Sequence, residues 1–213
     1  MNEVVEASVL VVGGGGAGCR AAIEAYDRGA DVLMITKGKL GQSGCTLNVG
    51  TSAAVGPWGE EEDSPETSMR DLLSYGGYLG NQELAKILAE ESSERVLELQ
   101  TWGIDFERDD DGSIAINQAS KHTYPRNFAF KPRHPARHDY GYPPGIAMMD
   151  VLIEQMNNRN IRMMDDVVLI DLITANGRIV GATGLDSQRC KTVVFKVKSV
   201  VLATGSYSQI FSH

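Results

Sequence analysis

The chain has 213 residues, 42% hydrophobic and 23% charged, with a net charge of -8. That length buries one substantial core, and the acidic balance excludes general nucleic-acid binding, which needs a basic face. Cys19, Cys45 and Cys190 are odd in number and lack C-x-x-C spacing, which weighs against a disulfide framework and a cysteine zinc site and points to a reducing compartment. No basic leader precedes the first apolar stretch and no apolar run approaches the length of a membrane span, so the chain reads as soluble and cytoplasmic.

The first predicted element is a strand over residues 8–12, ending in Val9-Leu10-Val11-Val12. Four apolar, mostly β-branched residues in a row suit a parallel strand buried on both faces. Gly13, Gly15 and Gly18 follow in G-x-G-x-x-G spacing, and a helix runs from Gly16 to a C-cap at Gly29. In such a turn the first glycine permits the tight bend, the second admits a pyrophosphate to the backbone, and the third lets helix and strand pack closely. The free N–H groups and partial positive charge of the helix N-terminus favour phosphate. Residues 31–36 make a second strand, which completes a βαβ unit with a right-handed crossover. Its last residue is Thr36, where dinucleotide-binding chains usually carry Asp or Glu for the ribose. That departure weighs against a simple NAD reading.

Residues 38–57 are rich in Gly, Ser, Thr and Ala, including Gly38, Gly41, Ser43, Gly44, Cys45, Thr46, Gly50, Thr51, Ser52 and Gly56. Small donors of this kind suit a loop lying along a phosphate-containing ligand, and a flexible linker is the other reading. Helices are predicted over 67–75 and 82–103. In the second, Leu84, Ile87, Leu88, Val96, Leu97 and Leu99 form an apolar stripe that reads as core. Asp109-Asp110-Asp111-Gly112 reads as a solvated turn, since a calcium loop needs ligands at alternating positions.

Residues 117–145 are irregular and basic, with Lys121, Arg126, Lys131, Arg133 and Arg137 beside His122, His134 and His138. The patch suits either an anionic ligand or partner or a solvated loop. His134 and His138 have a metal-like spacing, but Pro135 opposes the helix that would align them. A helix follows over 145–159, then strands near 167–173, 179–182 and 192–197. Asn176-Gly177 marks a hairpin, so these strands form an antiparallel meander. Residues 199–205 make a last buried strand running into a small-residue turn.

The chain resembles the flavoprotein subunits of succinate dehydrogenase and fumarate reductase, with L-aspartate oxidase and adenylylsulfate reductase as relatives. Four blocks carry the likeness over nearly the whole chain: residues 12–22, Thr36-Lys37 with Ser43-Gly44-Cys45-Thr46, the meander from Val167, and residues 201–207. The resemblance implies that Gly13, Gly14, Gly15, Gly16, Ala17 and Gly18 hold the FAD pyrophosphate. Thr36, Lys37 and Gly38 would meet the adenosine ribose. Ser43, Gly44, Cys45, Thr46, Asn48 and Gly50 would run beside the ribityl chain and flavin. Val168 would contact adenine through its backbone, and Ala203, Thr204 and Gly205 would close the site. The membrane-bound relatives carry Ser-His-Thr at the flavin, with a covalent bond to the histidine. Here Ser43-Gly44-Cys45-Thr46 has no histidine, so FAD is expected to be non-covalent, with a flavin linked to Cys45 the lesser alternative. Val49-Gly50-Thr51-Ser52 replaces the family's Ala-Gln-Gly-Gly, a departure from succinate dehydrogenase proper.

The fold expected is α/β: a Rossmann-like FAD-binding parallel sheet with flanking helices and a β-meander. It forms a single domain over 1–213 with an irregular excursion over about 50–145. The resemblance implies hydride transfer between FAD and a small dicarboxylate such as succinate or fumarate. It also implies an iron–sulfur partner subunit, with peripheral placement at the inner face of a membrane through partner subunits only. In the family the substrate cap and catalytic acid follow the last strand, so this chain reads as the N-terminal portion with no catalytic residue assigned. A non-catalytic nucleotide-binding or assembly fragment, another reaction of the family, and an NAD(P)-binding reductase are the competing readings.

Overall fold

In the computed structural model, which describes residues 3–133 and 143–206, the chain groups into two units. One is Met1–Asn48 with Leu152–His213, the other Val49–Val151. The first begins with β1 (Glu3–Glu6), which pairs in parallel with a late strand, β9 (Lys191–Lys196). The chain then changes sheets at Ala7 and Ser8 to enter β2 (Val9–Val12), where Ser8 N–H and Val9 N–H both donate to Asp31 C=O. β10 (Ser199–Leu202) makes the same change of sheet beside it, with Lys198 N–H and Ser199 N–H donating to Ser8 C=O.

The parallel sheet has the order β10-β2-β3-β6, with β3 at Val32–Ile35 and β6 at Arg162–Met164. Side chains alternate between its faces. Leu10 and Val12 of β2 and Leu33 and Ile35 of β3 point to one side. There they pack on Val167, Ala182, Val193 and Phe195 of the meander sheet. That sheet has the order β1-β9-β8-β7, with β7 at Val167–Ala175 and β8 at Arg178–Asp186. Val11 and Met34 take the opposite face and are also fully buried. α1 (Gly16–Asp27) packs against β2, β3 and β10, burying Cys19, Ala22 and Ile23. Each large side chain so buried contributes about 1.5–3 kcal/mol. Asn176 and Gly177 both have positive φ, 51° and 72°, as a two-residue hairpin turn requires. The α/β class, the parallel sheet and the meander are therefore as the sequence predicts. β1 and β6, of four and three residues, escaped that reading because neither carries a resolvable period.

The second unit holds α2 (Pro65–Tyr75), α3 (Gln82–Thr101) and a two-stranded ladder of β4 (Ser52–Ala53) with β5 (Asn127–Phe128). Ser64 caps α2 by accepting from Thr67 N–H, with Pro65 at the first helical position. Asn81 caps α3 by accepting from the amides of Glu83 and Leu84. The core is aromatic: Phe106, Phe128 and Phe130 are buried, and Trp58 stands edge-on to Phe128 at 5.5 Å. Ala147 and Val151 of α4 (Gly145–Asn158) join it.

Two expectations change here. The α3 stripe is not core along its length: Val96 is buried, but Leu84 is 64% exposed, and Ile87, Leu88 and Leu97 are exposed too. A helical period marks an apolar face but not whether the unit supplies a layer to cover it. Arg126 is neither a solvated residue nor part of an anion-binding patch. It is 2% exposed, bridging Asp63 through Nε (2.6 Å) and Asp71 through Nη1 (2.7 Å). Thr123 completes the cluster, its amide and hydroxyl both donating to Asp71. Burial pushes the Asp71 carboxyl up, but these donors and the guanidinium outweigh it and hold the group below its usual range. His134, Arg137 and His138 lie outside the described residues.

Candidate functional site

Because β2, β3, β6 and β10 run parallel, their C-terminal ends share one edge, where ligands of open α/β sheets bind. The glycine turn leaves β2 at that edge. Gly13 has φ 113°, and a Cβ on it would lie 2.2 Å from Ala203 C=O, so only glycine allows the bend beside β10. A Cβ on Gly18 would lie 1.8 Å from Gly13 C=O, so helix and strand touch there through backbone. Gly15 is different. Its φ of -80° suits any residue, and the nearest atom to an added Cβ is Thr46 Oγ1 at 3.5 Å, ordinary contact. Nothing in the chain itself requires glycine at this position.

Gly15 is the N-cap of α1 and brings no side-chain cap. Gly16 N–H donates to Thr46 Oγ1 at 3.0 Å, across thirty residues of sequence. The amides of Gly14, Gly15, Ala17 and Gly18 meet no acceptor among the described residues. They open on the sheet edge as a set of donors with the positive end of α1 behind them. Thr46 extends the set, since its oxygen is engaged by Gly16 and its proton stays free to donate.

Thr46 sits in the short 3-10 turn Cys45–Asn48. Ser43, Gly44, Cys45 and Asn48 around it are exposed, as are Lys37, Thr204 and Gly205. Ala203 N–H donates to Val12 C=O at 2.8 Å, which holds the segment 203–205 beside Gly13. Gly38 is half-buried beyond β3, and Val168 is half-buried in β7. Gly50 is exposed in the Val49–Val151 unit. The structure thus brings the glycine turn, Thr36, Thr46 and Ala203 together at one edge. Of the cysteines, Cys45 and Cys190 are exposed, while burial pushes the Cys19 thiol up to about 12. Among the described residues no group of three or more His, Cys, Asp or Glu side chains gathers for a metal.

Thr36 holds the most informative position. It is buried, and its hydroxyl lies 2.5 Å from Gly38 C=O and 3.0 Å from Asp165 Oδ1. Asp165, immediately after β6, also accepts from Leu40 N–H at 3.1 Å. Thr36 N–H donates to Met164 C=O, and Val167 N–H donates to Thr36 C=O. The end of β3 is therefore stitched to the β6–β7 connection, with a carboxylate at the seam. The sequence reading missed Asp165. No local pattern marks it, because its significance depends on β6 lying beside β3.

The profile of the FAD binding domain family matches residues 8–213. The chain belongs to this family. The fumarate reductase (CoM/CoB) of Methanothermobacter marburgensis has a subunit that is 30% identical over 211 residues, covering 99% of this chain and 37% of that protein. L-aspartate oxidase of Streptomyces coelicolor is 31% identical over 215 residues, covering 98% of this chain and 34% of that protein. Among solved structures, Mycobacterium smegmatis Sdh1 in complex with UQ1 superposes with a TM-score of 0.84 at 30% identity, covering 98% of this chain and 35% of that one. The chain spans little more than a third of the length of these relatives.

The donor set of this FAD binding domain fits its cofactor. A diphosphate needs several amides converging without side chains in the way, and Gly15 carries no side chain at a position where internal packing makes no demand for glycine. The flavin is an oxidation–reduction cofactor, and the family's members named above are oxidoreductases or subunits of them.

Proposed function

We propose that the chain is the FAD-binding portion of a flavoprotein oxidoreductase that transfers hydride between FAD and a small dicarboxylate such as succinate or fumarate. The observation that carries the reading is Gly15, where an added Cβ would meet only ordinary contact and packing demands no glycine, flanked by amides that no acceptor among the described residues satisfies. The names of the relatives supply the dicarboxylate: two sequence relatives are an L-aspartate oxidase and part of a fumarate reductase.

In this reading the amides of Gly14, Gly15, Ala17 and Gly18 hold the diphosphate, and Thr46, which accepts from Gly16 N–H, adds a hydroxyl donor beside them. Lys37 and Gly38 border the adenosine ribose, with Thr36 anchoring that segment from beneath. Ser43, Gly44, Cys45, Asn48 and Gly50 border the ribityl chain and isoalloxazine. Val168 meets adenine through its backbone, and Ala203, Thr204 and Gly205 close the near side. The bound flavin supplies the redox chemistry at its N5 position. The chain's own work is to orient it and to withhold an acid from the phosphate side. With no histidine in 43–46, attachment is non-covalent.

No described helix is long and apolar enough to cross a membrane. Several relatives are named as flavoprotein subunits, among them that of an 8-methylmenaquinol:fumarate reductase of Wolinella succinogenes. The proposed partner is accordingly an iron–sulfur electron-transfer subunit, with any membrane reached through it. The test is to load the chain with FAD and pass it through gel filtration. Retained flavin absorbance, all of it released by acid precipitation, is the expected result. A colourless protein peak overturns the reading, and colour remaining in the acid pellet overturns the non-covalent assignment.

A further inference from the structure

Folds of this type usually read the adenosine ribose with an Asp or Glu at the end of the second strand of the βαβ unit. In this chain that residue is Thr36, and its side chain is unavailable. It is 6% exposed, and its single hydroxyl proton faces two acceptors, Gly38 C=O and Asp165 Oδ1. A ribose diol offers two donors and is best met by an acceptor-only group.

We infer that Asp165, carried to the same sheet edge by β6, is the carboxylate that reads the vicinal hydroxyls of the adenosine ribose. Four observations support this assignment. β6 pairs in parallel with β3, so Asp165 emerges at the edge where Thr36 emerges. Its Oδ1 accepts from Leu40 N–H at 3.1 Å and shares the Thr36 hydroxyl proton, at 3.0 Å, with Gly38 C=O. Its Oδ2 makes no hydrogen bond and no cation pairs with it among the described residues, and the residue is exposed. Its neighbour Asp166 faces Lys39 instead, at 3.9 Å. The seam also abuts the phosphate turn: a Cβ on Gly14 would lie 2.6 Å from both Thr36 Cγ2 and Leu40 Cδ1. A carboxylate with one oxygen anchored and the other open, one strand beyond the strand that follows the glycine turn, does the work that Thr36 cannot.

This inference rests on the FAD reading above, so the test separates the two. ADP and 2′,3′-dideoxy-ADP are titrated against wild type, Asp165→Ala and Asp165→Asn by calorimetry, with FAD titrated alongside by quenching of its fluorescence. Wild type is expected to prefer ADP over the dideoxy analogue by about tenfold. Asp165→Ala should lose that preference, weakening ADP while leaving the dideoxy analogue where it was. Asp165→Asn keeps an acceptor for the Leu40 amide but loses the charge, and should retain only part of the preference. It also serves as the folded comparison should the alanine variant unfold. Equal weakening of both nucleotides would make Asp165 a loop clamp only and overturn the inference. So would an unchanged preference in both variants. Wild type binding neither FAD nor ADP would instead overturn the cofactor reading from which the inference is built.

Discussion

Alanine at Gly15 and at Gly18 should do opposite things. At Gly18, three residues into α1, alanine ordinarily gains about 1 kcal/mol of helix propensity over glycine. Here its Cβ would lie 1.8 Å from Gly13 C=O, with Ala203 Cβ at 3.4 Å on another side. Strand and helix would have to separate by roughly 1.5 Å to reach normal contact, and overpacking of a rigid backbone junction costs about 1–3 kcal/mol or more. At Gly15 the backbone is extended at φ -80° and ψ -179°, with the nearest atom 3.5 Å away. Stability should change by less than about 1 kcal/mol, the small N-cap loss being offset by a stiffer unfolded chain. The new methyl stands where the diphosphate approaches. Displacing it from one charge-assisted amide bond of about 1.5–3 kcal/mol lowers FAD affinity about ten- to a hundredfold. Urea unfolding gives the stability, and quenching of FAD fluorescence gives the affinity. Gly15→Ala unfolding as readily as Gly18→Ala, or binding FAD like wild type, would refute the reasoning.

Other consequences follow from the two cores. Arg126→Met leaves Asp63 and Asp71 buried without their cation and should cost about 3–5 kcal/mol in urea unfolding; a loss below about 1 kcal/mol counts against the cluster. Asp71 has a folded pKa below its unfolded value of about 3.9. Its contribution is therefore complete above about pH 4 and drains away as pH falls through the folded value. Asp71→Asn should remove that part of the acid dependence below about pH 4, and a slope identical to wild type would contradict the assignment. A maleimide should label Cys45 and Cys190 in the native protein and reach Cys19 only on unfolding, because Cys19 is buried with its thiol pushed up to about 12; mass spectrometry of labelled peptides decides. Leu88→Ser on the exposed face of α3 should shift stability by no more than about 0.5 kcal/mol, whereas a core residue would lose several times that.

What the amino-acid order settles is whatever depends on neighbours in sequence. The run from Val9 to Gly18 specifies strand, bend and helix because backbone sterics and apolar period act over a few residues. Asn176-Gly177 sets its hairpin for the same reason. Non-local pairing is a different matter. β6 has three residues and no pattern, so the carboxylate it carries to Thr36 cannot be seen until β3 and β6 are laid side by side. Arg126 looks like any loop cation until Asp63 and Asp71, more than fifty residues away, enclose it. Leu84 and Leu88 have the spacing of a buried face, yet burial is decided by what packs opposite. Local geometry follows from local residues; the acid at the sheet edge and the buried ion cluster exist only through contacts that the folded chain creates between distant segments.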